Sequence, residues 1–241
     1  MGVYSRKIKL RYSDIGRDNA LNLKSLIGYL QEMAGAHSSK ACYGLNDMSI
    51  THVTWLLLDW KVKMLSHPCY GEELTVNTWP RSFEKCYSYR DFEIFDSNNN
   101  LVAIASSKWL LINCDTKRIE RITSEIANSF GIVDRNVFED KLDEKPKAPD
   151  NLTLNFKYKI QRRDIDTNGH VNNLHYIDYA LETLPENVYN NNEFDNIEIN
   201  FKKEIKSEDT INCYYSFENN KHIVTIKSED DSILHSIVKF Y

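Results

Sequence analysis

Residues 51–64 (THVTWLLLDWKVKM), 73–79 (ELTVNTW), 86–95 (CYSYRDFEIF) and 101–114 (LVAIASSKWLLINC) are rich in β-branched and aromatic positions and are separated by turn-forming clusters. That pattern predicts four long strands. The loop DSNNN at 96–100 has the Asn and Asp content that tolerates left-handed turns, so an antiparallel hairpin is expected there. Upstream, Leu23, Leu26, Ile27, Leu30 and Met33 fall at helical spacing and predict an amphipathic helix over residues 21–39.

The second half runs in the same order. Leu174, Ile177, Leu181 and Leu184 predict a helix that Pro185 ends, and strands follow at 197–205, 210–217, 222–227 and 232–240. The halves also match locally. KLRYSDIGRDNALNL (9–23) aligns with KIQRRDIDTNGHVNN (159–173), setting Asp14-Ile15 on Asp164-Ile165 and Asn22 on Asn172. Internal duplication is the simplest explanation. The polar stretch 134–151, which carries two prolines, reads as an exposed connector and puts a boundary near residue 140. The expected fold class is therefore α+β, two repeats (1–139 and 140–241) in which a curved antiparallel sheet covers one helix stripe, together a pseudo-dimer.

Composition narrows the function classes. Among 241 residues, 41% are apolar and 27% charged, with only 8 Gly and 5 Pro, which suits a packed globular chain. A net charge of -5 argues against a general nucleic-acid binder, which needs a basic face for phosphates. Cys42, Cys69, Cys86, Cys114 and Cys213 are scattered and odd in number, so reduced thiols in a cytoplasmic protein are expected. The N-terminal stretch has no apolar h-region and the longest apolar run, 55–58, is too short to span a bilayer, so no membrane association is expected. There is no GxSxG elbow and no phosphate-cradling Gly-rich loop. His170 and His175 lie on different helix faces, so neither a metal nor a cofactor is expected.

The chemistry concentrates in DIDTNGHVNN, residues 164–173. Asp164, Asp166, Asn168 and His170 alternate, and in an extended segment such side chains point to one side. Asn168-Gly169 suits a sharp turn just before the helical pattern, which would put His170 near a helix N-terminus, where free N–H groups can stabilise an oxyanion. The competing reading is that Asp166 and Asn168 only shape a turn or cap and that His170 is a surface histidine. The first half keeps the scaffold with Gly16, Asp18 and Ala20 at the corresponding positions, which favours a chemical role for the second-half set.

DIDTNGHVNN resembles the D-[LI]-D-x-N-x-H-V-N-N signature of plant and bacterial acyl-(acyl carrier protein) thioesterases, double hot-dog proteins, with Thr167 and Gly169 at the variable sites. The resemblance continues through HYIDYALETLP after the motif and through Trp60, PCYGEELTVNTW, YRDFEIFD and ASSKWLLINCDTKR in the first half. It implies hydrolysis of fatty acyl-(acyl carrier protein) thioesters, with catalytic residues Asp166, Asn168 and His170. INFKKEI (199–205) is similar to the family's I-E-Y-R-R-E-C, which carries a catalytic Glu onto Glu204; strand alternation alone would put Glu204 on a polar face with Glu198, Asn200 and Lys202. The cysteine that follows this Glu in many members is Ile205 here, so carboxylate chemistry is favoured: Asp166 attacks the thioester or activates water, Glu204 is the alternative base, His170 polarises the carbonyl or protonates the thiolate, and Asn168 orients.

The implied partner is an acyl carrier protein bearing a fatty acyl chain, with self-association into a homodimer allowed. Its acidity calls for a local basic patch, for which Arg162, Arg163, Lys202, Lys203 and Lys206, or Lys117, Arg118 and Arg121, are candidates. The acyl chain needs apolar walls, expected in the first repeat from its helix and from the strand with Trp55, Leu57 and Met64. An acyl-coenzyme A thioesterase, a non-catalytic acyl-binding regulator and a hydratase are the alternatives.

Overall fold

A computed structural model describes residues 2–139, 142, 146–191 and 194–241. The chain divides into two compact units, Met1–Leu142 and Asp143–Tyr241. The boundary expected near residue 140 lies outside the described residues.

Unit 1 runs β1 (Tyr4–Lys9), α1 (Leu23–Lys40), the single turn α2 (Met48–Thr51), β2 (Val53–Met64), β3 (Glu73–Glu84), β4 (Tyr87–Phe95), β5 (Leu101–Asn113) and α3 (Ser124–Phe130). Its strands are all antiparallel in the order β1-β3-β4-β5-β2. Unit 2 runs β6 (Thr153–Lys159), α4 (His175–Thr183), α5 (Glu186–Asn191), β7 (Asn196–Phe201), β8 (Thr210–Glu218), β9 (Lys221–Ser228) and β10 (Leu234–Phe240). Its order, β6-β8-β9-β10-β7, repeats that of unit 1 element by element.

Each unit thus has five described strands where the sequence pattern predicts four. The extra ones, YSRKIK and TLNFKYK, are the terminal strands of their sheets, mostly exposed and rich in charge, so they carry no apolar run to announce them. The β4–β5 hairpin closes as expected: Asp96 Oδ1 accepts the N–H groups of Asn98 and Asn100, both at 2.8 Å, with Asn99 left-handed at φ 64°.

The apolar stripe of α1 is buried as read, with Leu26, Ile27, Leu30 and Met33 at 0–2% exposure. Side chains of that size contribute about 1.5–3 kcal/mol each on burial. In β2 a register shift between Leu57 and Asp59 changes which positions face inward, so that Leu57 and then Trp60, Val62 and Met64 are buried. That shift is why Leu57 and Met64, an odd number of residues apart, both belong to the core. In α4 the buried face is Tyr176, Ile177, Tyr179, Ala180 and Thr183; of the predicted stripe Ile177 and, just past the helix, Leu184 are buried, while Leu174 and Leu181 are only partly so. Leu174 precedes the helix, and the Thr183 hydroxyl is satisfied by the Tyr179 carbonyl at 2.6 Å, which lets polar side chains occupy that face. Pro185 ends α4 as expected, and α5 follows at once.

Candidate active site

The motif lies between β6 and α4 and is built twice in the chain. In unit 2, Asp164 is buried and its carboxylate accepts the Gln161 N–H at 2.8 Å; in unit 1, Asp14 accepts the Arg11 N–H at 2.7 Å. The turns then close alike. The Asp166 N–H donates to the His170 carbonyl at 2.8 Å and that of Gly169 to the Asp166 carbonyl at 3.1 Å; Gly16 with Ala20 and Asn19 with Gly16 do the same at 2.8 and 3.1 Å. The fourth turn residue is left-handed in both, Gly169 at φ 78° and Asn19 at φ 62°. The Asn172 and Asn22 N–H groups return to the carbonyls of Asp164 and Asp14. Finally the Val171 N–H reaches the Ile205 carbonyl at 2.9 Å, matched by Leu21 and Pro68 at 2.9 Å.

On this shared frame the second unit carries different side chains. Asp166 Oδ1 accepts the N–H groups of Asn168 at 2.8 Å and His170 at 3.3 Å, and Asn168 Nδ2 approaches Asp166 Oδ2 at 3.4 Å. In unit 1, Gly16 has no side chain and Asp18 takes over part of the turn by accepting the Ala20 N–H at 3.2 Å. The turn is therefore closed by one side-chain acceptor, and its position is exchangeable. A Cβ on Gly16 would meet Asp18 Oδ1 at 2.9 Å, so a side chain there would require the Asp18 carboxylate to shift.

Glu204 comes to this turn from the loop after β7. The strand predicted over 197–205 ends at Phe201, because the Lys202 and Lys203 N–H groups both turn to the His235 carbonyl, at 2.9 and 3.3 Å. Glu198 and Asn200, expected on a solvated face, are largely buried, with Glu198 paired to Lys221 at 3.1 Å and Lys239 at 3.4 Å. Glu204, released from the strand, has its Oε1 3.7 Å from His170 Nε2. A backbone bridge between His170 and Lys206 holds the two segments together. His170 is five residues before α4, which begins at His175, so it is not at a helix N-terminus as the sequence suggests. The reason is the tight turn at 166–169, which also takes Asp164 out of any extended, one-sided row.

Tyr176 is the residue that sequence reasoning does not single out. Its buried hydroxyl accepts the Ile205 N–H at 3.1 Å. Burial, with the nearby charges of Glu204 and Asp166, holds its phenol well above the usual tyrosine range, so it stays protonated. The signal available was the comparison with the first repeat, where Leu26 stands at the corresponding helix position.

The remaining candidates separate by location. Arg162, Arg163, Lys202, Lys203 and Lys206 are all exposed on the segments that frame the turn. Trp55 is half-buried in unit 1, packed with Phe83 and Phe130 against a core cluster with ring centroids at 6.4 and 5.9 Å. Cys213 is buried on β8, and burial pushes its thiol up to about 12, so it is no nucleophile at neutral pH.

Residues 2–130 match the acyl-ACP thioesterase N-terminal domain and residues 147–238 the acyl-ACP thioesterase C-terminal domain. The chain is 24% identical over 238 residues to oleoyl-acyl carrier protein thioesterase 2, chloroplastic, of Arabidopsis thaliana, covering 92% of this chain and 65% of that protein. It thus spans a little under two thirds of the length of that relative. Among solved structures, the 12:0-ACP thioesterase from Umbellularia californica superposes with a TM-score of 0.85 at 19% identity, over 99% of this chain and 96% of the other. An acyl-ACP thioesterase from Bacteroides thetaiotaomicron gives 0.81 at 21% identity, over 99% and 96%. These likenesses carry the fold, α+β with a hot-dog in each repeat. With both halves of the sequence matched in order by its two domain descriptions, the chain belongs to the acyl-ACP thioesterase family.

Proposed function

We propose that this protein hydrolyses fatty acyl-(acyl carrier protein) thioesters to free fatty acid and carrier protein, with Asp166, Asn168, His170 and Glu204 as its catalytic residues. The observation that carries the reading is the His170–Glu204 pair at 3.7 Å beside the Asp166 turn, on a frame whose other copy has Ala20 and Gly16 instead. The first copy closes the same turn with Ala20 in place of His170, so the imidazole has no structural duty in the frame.

In the proposed reaction Asp166 takes a proton from water, whose oxygen attacks the thioester carbon. The carbon–sulfur bond breaks and His170 delivers a proton to the departing thiolate, giving carboxylic acid and free thiol. Asp166 is assigned as the base, with Oδ1 held in its own turn by two N–H donors and Oδ2 left to meet the water. Asn168 orients the free carboxylate oxygen, and Glu204 stabilises protonated His170. Proton transfers of this kind contribute roughly 10²–10⁴-fold each.

Two features support the substrate assignment. The exposed cations Arg162, Arg163, Lys202 and Lys203 suit an acidic carrier, although the chain as a whole is acidic at -5. The half-buried Trp55 and Phe83 give unit 1 apolar surface, beside its packed core cluster, on which we place the acyl chain. A cytoplasmic location agrees with the five free cysteines; no described helix is long and apolar enough to cross a membrane.

The test is incubation with a panel of acyl chains on acyl carrier protein and on coenzyme A, followed by free fatty acid analysis. Release from the carrier protein at a kcat/KM well above that from coenzyme A, falling as salt rises, is expected. Preference for coenzyme A would make it an acyl-coenzyme A thioesterase, and no product from any chain would favour a non-catalytic acyl-binding protein.

A further inference from the structure

We propose that Tyr176 is a positioning residue of the site, whose phenol holds the peptide after Glu204 and so keeps the Glu204 carboxylate against His170. The inference rests on the catalytic reading above and assigns a residue that reading does not include.

The hydrogen bond from the Ile205 N–H to the Tyr176 hydroxyl, 3.1 Å, acts on the peptide plane that joins Glu204 to Ile205. Fixing that plane fixes the ψ angle of Glu204 and hence the direction in which its side chain leaves the loop. The carbonyl of the same residue, Ile205, accepts the Val171 N–H at 2.9 Å, so one buried residue is gripped by the helix on one side and by the catalytic turn on the other. The Lys206 N–H, next along, is taken by Asp209 at 2.9 Å. Glu204 itself is exposed and, among the described residues, its carboxylate is met by His170 alone, so its placement depends on this backbone.

The first repeat shows what the frame does without catalysis. Pro68 corresponds to Ile205, since its carbonyl takes the Leu21 N–H as that of Ile205 takes Val171. Proline has no N–H, and the helix position that would serve it is the buried Leu26. In unit 2 a donor appears at 205 and an acceptor at 176 together. A Leu and Pro pair suffices to pack this corner, so packing alone does not call for the phenol.

The experiment is a double-mutant cycle on kcat and KM for acyl-(acyl carrier protein) hydrolysis, with Tyr176→Phe, Glu204→Gln and both, each with its thermal midpoint. Phenylalanine keeps the ring in place and removes only the hydroxyl. If Tyr176 acts through Glu204, Tyr176→Phe lowers kcat about tenfold or more with KM held within about twofold, and has less than about twofold effect in the Glu204→Gln background. The same fold loss in both backgrounds overturns the proposal, as does a fall in thermal midpoint with kcat unchanged, which is the mark of a merely structural bond. Wild-type protein that releases no fatty acid refutes the underlying catalytic reading, and this proposal with it; an active wild type with an additive cycle refutes this proposal alone.

Discussion

His170 Nε2 and Glu204 Oε1 stand 3.7 Å apart, with 37% and 46% of their side chains exposed. An ion pair that open to solvent contributes about 0–1 kcal/mol to stability, so the reason for bringing Glu204 out of its strand to meet His170 is sought in chemistry. Glu204→Gln is expected to lower kcat by roughly 10²-fold while leaving the thermal midpoint within a degree or two. A midpoint that falls with kcat unchanged would reverse that assignment.

The turn geometry gives a stability prediction that separates conformation from contact. At Gly169, φ is 78° and an added Cβ would meet nothing within 4 Å, so only backbone preference opposes substitution. Gly169→Ala should cost about 1 kcal/mol in chemical denaturation. Gly169→Asn should cost less than half as much, because Asn19 occupies the matching position at φ 62°. Equal costs for the two would show that a side-chain clash, not φ, is decisive.

Unit 1 carries a buried acid-sensitive group. Arg90 Nη1 donates to His37 Nδ1 at 3.0 Å, and burial, with the positive charge of Arg90, lowers His37 from 6.5 to about 3. Between those values the unfolded chain binds the proton and the folded chain does not. Stability from neutral His37 is therefore fully present above pH 6.5 and is lost progressively as pH falls toward about 3. Urea midpoints measured across that window should slope downward on acidification, and His37→Gln should flatten the slope; an unchanged slope would place the acid sensitivity elsewhere.

Much of the fold is legible in the sequence, and what is not has physical reasons. The α1 stripe and the β2–β5 runs were readable because burial leaves an apolar record. The strands β1 and β6 were not, because terminal strands protect themselves with charge and leave no such record. Asp166, Asn168 and His170 were identifiable from the unequal repeats, but their arrangement was not. Reading them as an extended row missed the tight turn that Asp166 itself closes. Glu204 was assigned by family resemblance, and what brings it to His170, the departure of Lys202 and Lys203 toward the His235 carbonyl, is a long-range bond with no local signature. Tyr176 escaped notice because a tyrosine on a helix's buried face reads as core until its hydroxyl's partner is known.

A thiol mechanism is testable independently. With the Cys213 thiol buried and pushed up to about 12, Cys213→Ala should leave kcat within about twofold and cost about 1 kcal/mol of stability. Alkylation of the exposed Cys42 and Cys69 should likewise leave hydrolysis intact. Loss of activity on either treatment would reopen a cysteine-based reaction.

The most direct test of the catalytic assignment is the rate of fatty acid release from acyl-(acyl carrier protein) by wild type and by Asp166→Asn. Asparagine Oδ1 can still accept the two N–H groups that Asp166 accepts, so the turn and the fold are kept. The carboxylate base is lost. The expected result is unchanged circular dichroism and thermal midpoint with release reduced by roughly 10³-fold or more; a folded Asp166→Asn protein with wild-type release would contradict it.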